Sequence, residues 1–154
     1  MPPVTIRLIT STDIAIVATL DAWASRAAAD QGLTECRNLR DCVKATGAPS
    51  HVLNYGIFVE DRFIGGIHTS GEHFNVMWIH WDERGKGIGP QAAYAVLSAQ
   101  LTRYPAAIVN QPNRNMCKAL VKIMTPQRAH RVSCRDGISE MRFISGDLRR
   151  PLSA

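Results

Sequence analysis

The run DERGKGIGPQ (residues 82–91) sets three glycines and two cations between an apolar-rich stretch, HFNVMWIHW (73–81), and a segment with helical spacing. Glycine is poorly suited to the interior of a strand or a helix, so its concentration between one of each marks a specialised turn. A strand that feeds a glycine-rich turn and then a helix start aims several backbone N–H groups in one direction. They lie at the positive end of the helix dipole, and such an arrangement binds phosphate. Gly85, Gly87 and Gly89 leave no Cβ between backbone and ligand, and Arg84 and Lys86 add positive charge. The plain alternative is that the glycines only make a tight loop.

Two nucleotide readings fail on spacing. No Gly-Lys-Ser/Thr closes a G-x-x-x-x-G run, which excludes a Walker A loop. A Rossmann G-x-G-x-x-G would need glycine at position 90, where Pro90 stands, and the strand before the run belongs to a meander rather than to a β-α-β unit.

Outward from this run the turn signals are regular. VTIRLIT (4–10) alternates as a strand, and STD (11–13) then caps a helix whose Ile16, Leu20, Trp23 and Ala27 recur at helical spacing to about Asp30. TECRNLRDCVKAT (34–46) predicts a second helix, ended by Gly47 and Pro49. HVLNYGIFVE (51–60) and FIGGIHTS (63–70) read as a hairpin about Asp61-Arg62, and HFNVMWIHW follows as a third antiparallel strand. Beyond the glycines, Ala93, Val96, Leu97, Leu101 and Tyr104 line a helix that stops before Pro105. AAIVN (106–110) is a strand, NRNMCKALVKIM (113–124) a helix, and AHRVSCR (129–135) and SEMRFIS (139–145) a closing pair of strands. The order predicts an α/β fold with a mixed, mostly antiparallel central sheet of about seven strands and helices on both faces.

With 154 residues, 45% of them hydrophobic, the chain has the size and apolar content of one domain spanning 1–154. No apolar run approaches the roughly 18 residues needed to span a bilayer, and MPPVTIRLIT lacks the layout of a signal peptide. The expected location is cytoplasmic, with no membrane partner. Cys36, Cys42, Cys117 and Cys134 form no C-x-x-C pair or zinc spacing, and His68, His73 and His80 are spread over two strands, so no metal is expected. From Arg114 to Arg150 nine Lys or Arg stand against three Asp or Glu. That excess suits an anionic cofactor, an acidic partner or nucleic acid, although no nucleic-acid motif accompanies it, and a solvated basic face explains it equally.

Arg84-Gly85-Lys86-Gly87-Ile88-Gly89, read as R-x-x-G-x-G, resembles the pyrophosphate loop Q/R-x-x-G-x-G/A of the GCN5-related N-acetyltransferases. The resemblance extends to the element order of nearly the whole chain. It implies acetyl-CoA as cofactor, its diphosphate held by the amides of residues 84–89 and its pantetheine arm paired with backbone near Met77 and Ile79. It further aligns Asn113 with the asparagine of the family's N-x-x-A-x-x-x-Y pattern, but Met116 then falls at the alanine and Leu120 at the tyrosine that serves as thiolate acid. Gly-Phe is replaced by Met124-Thr125. Pro90 lacks an N–H, which removes one phosphate donor while fitting the first helical turn.

Acyl transfer to an amine needs a base, and His73 and His80 are the candidates because imidazole is the side chain suited to proton transfer at neutral pH, with Glu72 a further candidate. Strand alternation places His73 and His80 on opposite faces, and His73 is preferred because base positions in the family fall early on this strand. Trp78 and Trp81 read as packing residues. The expected partner is a small-molecule or protein amine. The alternative is a non-enzymatic interaction or assembly protein on the same scaffold, including a bacteriophage virion component. A third reading is an enzyme that modifies nucleic acid. Homo-oligomers through the last strands are common in the family.

Overall fold

The computed structural model describes residues 3–111, 114–124, 129–135 and 138–144. The elements are β1 (Val4–Leu8), α1 (Ile14–Arg26), α2 (Leu33–Lys44), β2 (Val52–Val59), β3 (Arg62–Ser70), β4 (His73–Ile79), α3 (Ile88–Arg103), β5 (Ala106–Gln111), α4 (Arg114–Met124), β6 (Ala129–Arg135) and β7 (Ile138–Ile144). Short 3-10 turns lie at Ala29–Gln31 and Trp81–Glu83. The seven strands form one sheet in the order β1-β2-β3-β4-β5-β7-β6. Every neighbouring pair is antiparallel except β4 and β5, which α3 connects as a crossover.

Each face of the sheet carries its own apolar layer. Ala92, Ala93, Val96 and Leu97 of α3 and Leu120 and Met124 of α4 pack on Ile57, Ile67, Val109, Met141 and Phe143. On the other face Ile16 and Leu20 of α1 and Cys36, Leu39 and Val43 of α2 cover Phe58 and Trp78. The mixed sheet with helices on both sides is the architecture that the element order predicts.

Several boundaries differ from the sequence reading for local reasons. Helix α1 ends at Arg26 rather than near Asp30, because Ala27 is extended and Gly32, in the left-handed region at φ 79°, starts α2 afresh. The β2–β3 turn is Glu60-Asp61, one residue before the expected pair, and both residues have positive φ (51° and 63°), as a two-residue hairpin turn of this hand requires. Helix α3 begins at Ile88, inside the glycine run. Gly65 is fixed by proximity, since a Cβ there would fall on the Trp78 carbonyl and 2.9 Å from Ile79 Cα.

Candidate functional site

Strand β4 is paired differently along its length. At its start His73 pairs with Ile108 and Phe74 with Val109 of β5, and no later β4 residue has a β5 partner. A register shift against β3 follows at once, because Phe74 pairs with Thr69 and Val76 with His68, leaving Asn75 as a bulge. Among the described residues β4 is joined only to β3 beyond the bulge. The His80 N–H donates to the Ile64 carbonyl at 2.8 Å, which sets the phase of the ladder. Ile79 and Met77 therefore turn their backbone polar groups the other way, onto the open edge. These are the two residues whose backbone the sequence reading assigns to pantetheine.

The bulge also corrects the expectation that His73 and His80 occupy opposite faces. Phe74, Met77 and Ile79 join the α3–α4 layer and Val76 and Trp78 the α1–α2 layer, so the alternation resets at Asn75. His73 and His80 both lie on the α1–α2 face. They stand at opposite ends of β4, about 23 Å apart along an extended strand, so one small cleft cannot hold both.

His73 is exposed where β4 and β5 are still joined. Glu72 precedes it, and its backbone carbonyl accepts from the Ile108 N–H at 2.7 Å. His80 is half-buried, its ring stacked on Trp81 with centroids 4.0 Å apart and tilted against Trp23 at 4.9 Å. Its Nδ1 accepts the Asp82 backbone N–H at 3.1 Å and so caps the following 3-10 turn. That bond occupies the Nδ1 lone pair, which puts the proton of the neutral ring on Nε2. Burial pushes the His80 pKa below the usual imidazole value, opposed in part by the Asp82 and Glu83 carboxylates and reinforced by Arg84.

The glycine loop passes from this 3-10 turn into α3. Gly85 and Gly87 have φ of 75° and 77°, so the left-handed backbone itself calls for glycine at both. At Gly85 a Cβ would meet nothing within 4 Å, which leaves φ as the only constraint there. Gly87 is the N-cap of α3 and has no side chain to bond the first turn, which carries no acidic residue. The N–H groups of Ile88 and Gly89 thus have no cap acceptor, while Pro90 contributes none. Beside this helix start Pro90, Ala119, Lys122 and Ile123 line an apolar cleft of about 470 Å³ between α3 and α4.

The two loop cations have partners of their own. Lys86 Nζ lies 3.3 Å from Glu83 Oε2, and Arg62 Nη1 lies 3.1 Å from Glu83 Oε1. The hydrogen bond from Arg62 holds the buried Glu83 carboxyl below its usual range, with Lys86 adding to the effect and burial opposing it. Arg84 turns back from the loop. Its Nε donates to the Ile79 carbonyl at 2.8 Å and its Nη2 to the Gln31 carbonyl at 2.6 Å. Consequently one outward group of the open edge, the Ile79 C=O, is already engaged.

Sequence reasoning missed Gln31, Arg62 and buried Glu83. Only the Glu83–Lys86 pair, three residues apart, left a signal in the spacing. Trp78, 2% exposed, is a core residue as expected, and its Nε1 donates to the Gln31 carbonyl at 3.1 Å. Leu120, aligned with the family's tyrosine, is 1% exposed and apolar. Asn113 lies outside the described residues, as do Arg128, Arg149 and Arg150 of the basic C-terminal segment. Among the described residues no cluster of three His, Cys, Asp or Glu is placed to hold a metal, and no helix is long and apolar enough to cross a membrane.

No protein-family model matches the sequence, and no curated protein sequence is significantly similar to it. Solved structures are similar in fold. The RimL ribosomal L7/L12 alpha-N-protein acetyltransferase in complex with coenzyme A superposes with a TM-score of 0.61 at 12% identity, over 92% of this chain and 94% of that one. An acetyltransferase from Thermus thermophilus gives 0.58 at 15% identity, covering 94% and 98%. The PaiA N-acetyltransferase of Thermoplasma acidophilum, also with coenzyme A, gives 0.57 at 12%, covering 94% and 99%. The chain therefore has the fold of the GCN5-related N-acetyltransferases.

Proposed function

We propose that this chain is an acetyl-CoA-dependent N-acyltransferase that passes an acetyl group to a small-molecule or protein amine by direct attack on the thioester. The supporting observation is one junction: the open edge of β4 runs straight into a helix start whose first amides lack a cap acceptor. Neither half alone is specific. Together they match an elongated ligand with a hydrogen-bonding arm and an anionic group. Acetyl-CoA has that shape, and it supplies an acetyl group already activated as a thioester.

The chain's own residues divide the work. The amides of the Arg84–Gly89 loop, chiefly those of Gly87, Ile88 and Gly89, hold the diphosphate, and Lys86 adds positive charge at the rim. The backbone of Met77 and the N–H of Ile79 orient the arm, with Asn113 a contact on the segment before α4. The amine approaches on the α1–α2 side, where His73 is exposed at the start of β4. His73 on that face accepts a proton from the incoming ammonium, which frees the nitrogen lone pair for attack. His80, with Nδ1 engaged, acts as wall and cap rather than as a first-choice base. Leu120 offers no proton, so the sulfur departs as the thiolate.

Calorimetric titration of the parent and of Gly87→Glu with acetyl-CoA tests the reading. The variant strains a left-handed residue and sets a carboxylate against the diphosphate. Binding by the parent and a loss of at least a hundredfold in the variant support the site. A folded parent that does not bind overturns it and favours the assembly role.

A further inference from the structure

The Arg84 guanidinium reaches a residue 53 positions away in sequence, Gln31. Its Nε reaches the Ile79 carbonyl on the open edge of β4, and its Nη2 reaches the Gln31 carbonyl in the turn between α1 and α2. The guanidinium lies over the Trp78 ring, 5.6 Å from its centroid, and Trp78 Nε1 donates to the same Gln31 carbonyl. One peptide carbonyl thus receives two donors from the β4 side. Gly32 follows with φ 79°, and a Cβ on it would stand 3.1 Å from Trp78 Nε1, so the turn sits closely against the strand. A lysine offers a compact ammonium in place of this planar fork and does not reproduce both bonds with the same geometry.

We propose that Arg84 is a positioning residue, a latch that ties the α1–α2 turn to the open end of β4 so that occupation of that edge stiffens the turn. The inference rests on the acetyl-CoA reading above for its coupling and on geometry alone for the latch. The turn lies on the α1–α2 side of the sheet, the side assigned above to the acceptor. Arg84 makes no carboxylate ion pair among the described residues, and two of its five N–H groups go to neutral carbonyls. A ligand that pairs with the edge at Met77 and Ile79 restrains the strand end that Arg84 holds. Through the shared guanidinium it also restrains Gln31.

Hydrogen exchange over residues 28–35 reads this directly, because Gln31 N–H bonds the Ala28 carbonyl and Gly32 N–H the Ala29 carbonyl only while the turn is formed. The parent and Arg84→Lys are compared with and without acetyl-CoA, alongside calorimetry. The latch predicts exchange about tenfold faster in the variant without ligand. It further predicts that acetyl-CoA slows exchange in the parent but by less than about twofold in the variant, while the variant's affinity falls by less than about tenfold. Equal exchange in parent and variant overturns the latch. So does an affinity loss above tenfold with ligand-dependent protection retained, which would make Arg84 a direct phosphate ligand. Trp78→Phe, which removes the second donor to Gln31, accelerates the same segment to a lesser degree and serves if Arg84→Lys does not fold. A parent that fails to bind acetyl-CoA overturns the acyltransfer reading and the coupling, whereas faster exchange in Arg84→Lys still supports the latch.

Discussion

The two ends of β4 share one backbone and differ in almost everything else. At His73 and Phe74 the strand is bonded on both sides, to β3 and to β5. Past Asn75 it pairs with one strand only among the described residues, and its outward polar groups face an open edge beside a glycine loop. Burial separates the ends less than pairing does, since Phe74 and Trp78 are both core residues. The end of the β5 pairing coincides with a single bulged residue against β3, beyond which the backbone groups of Met77 and Ile79 point away from β3.

If the closed end serves the fold and the open end serves the ligand, substitutions at the two ends should fail in different assays. Phe74→Ala empties a site that is 6% exposed in the larger core cluster and should cost about 3–5 kcal/mol by chemical denaturation. The acetyl-CoA affinity of the molecules that remain folded should stay within about threefold of the parent. Met77→Pro removes an N–H that faces away from β3, so it spares the ladder while deleting an arm contact. It should lower affinity about tenfold, or about 1.4 kcal/mol. A variant pair with the opposite pattern would break the division.

A smaller effect distinguishes His80 as a cap from His80 as a free base. Burial lowers its pKa below the unfolded value of 6.5, so the unfolded chain takes up a proton first as the solution is acidified. Stability is then full above about pH 6.5 and declines as pH falls from there toward the depressed folded value. His68, shifted the same way by burial, adds to the decline, and Glu83 contributes only at lower pH, where its stabilising charge is lost. His80→Asn keeps a side-chain acceptor for the Asp82 N–H and cannot titrate, so its melting temperature should fall less between pH 7 and pH 5 than that of the parent. Parallel melting curves for the two proteins would remove His80 from this account.

What was legible in the sequence followed from short-range chemistry. The order of all strands and helices came from apolar periodicity and turn residues, and the glycine loop from Gly85 and Gly87, whose positive φ values are the sort of demand that glycine spacing reports. The errors have equally physical sources. The apolar spacing of α1 continues through Ala27, so nothing local forecast the break that lets Gln31 fold back under Trp78. The Asn75 bulge has no compositional mark, yet it decides on which face every later residue of β4 lies. Arg84 looked like a phosphate ligand because its sequence neighbours are loop residues, whereas its bonds go to Gln31 and Ile79. Such contacts depend on where distant segments meet.

The central claim, that the open end of β4 and the start of α3 form one cofactor site, is most directly tested by following backbone amide NMR signals during titration with acetyl-CoA. Large shifts are expected at Met77, Ile79, Gly85, Gly87, Ile88 and Gly89, with Phe74, buried at the closed end, little changed. Shifts confined to other surfaces, or none at saturating ligand, would contradict it.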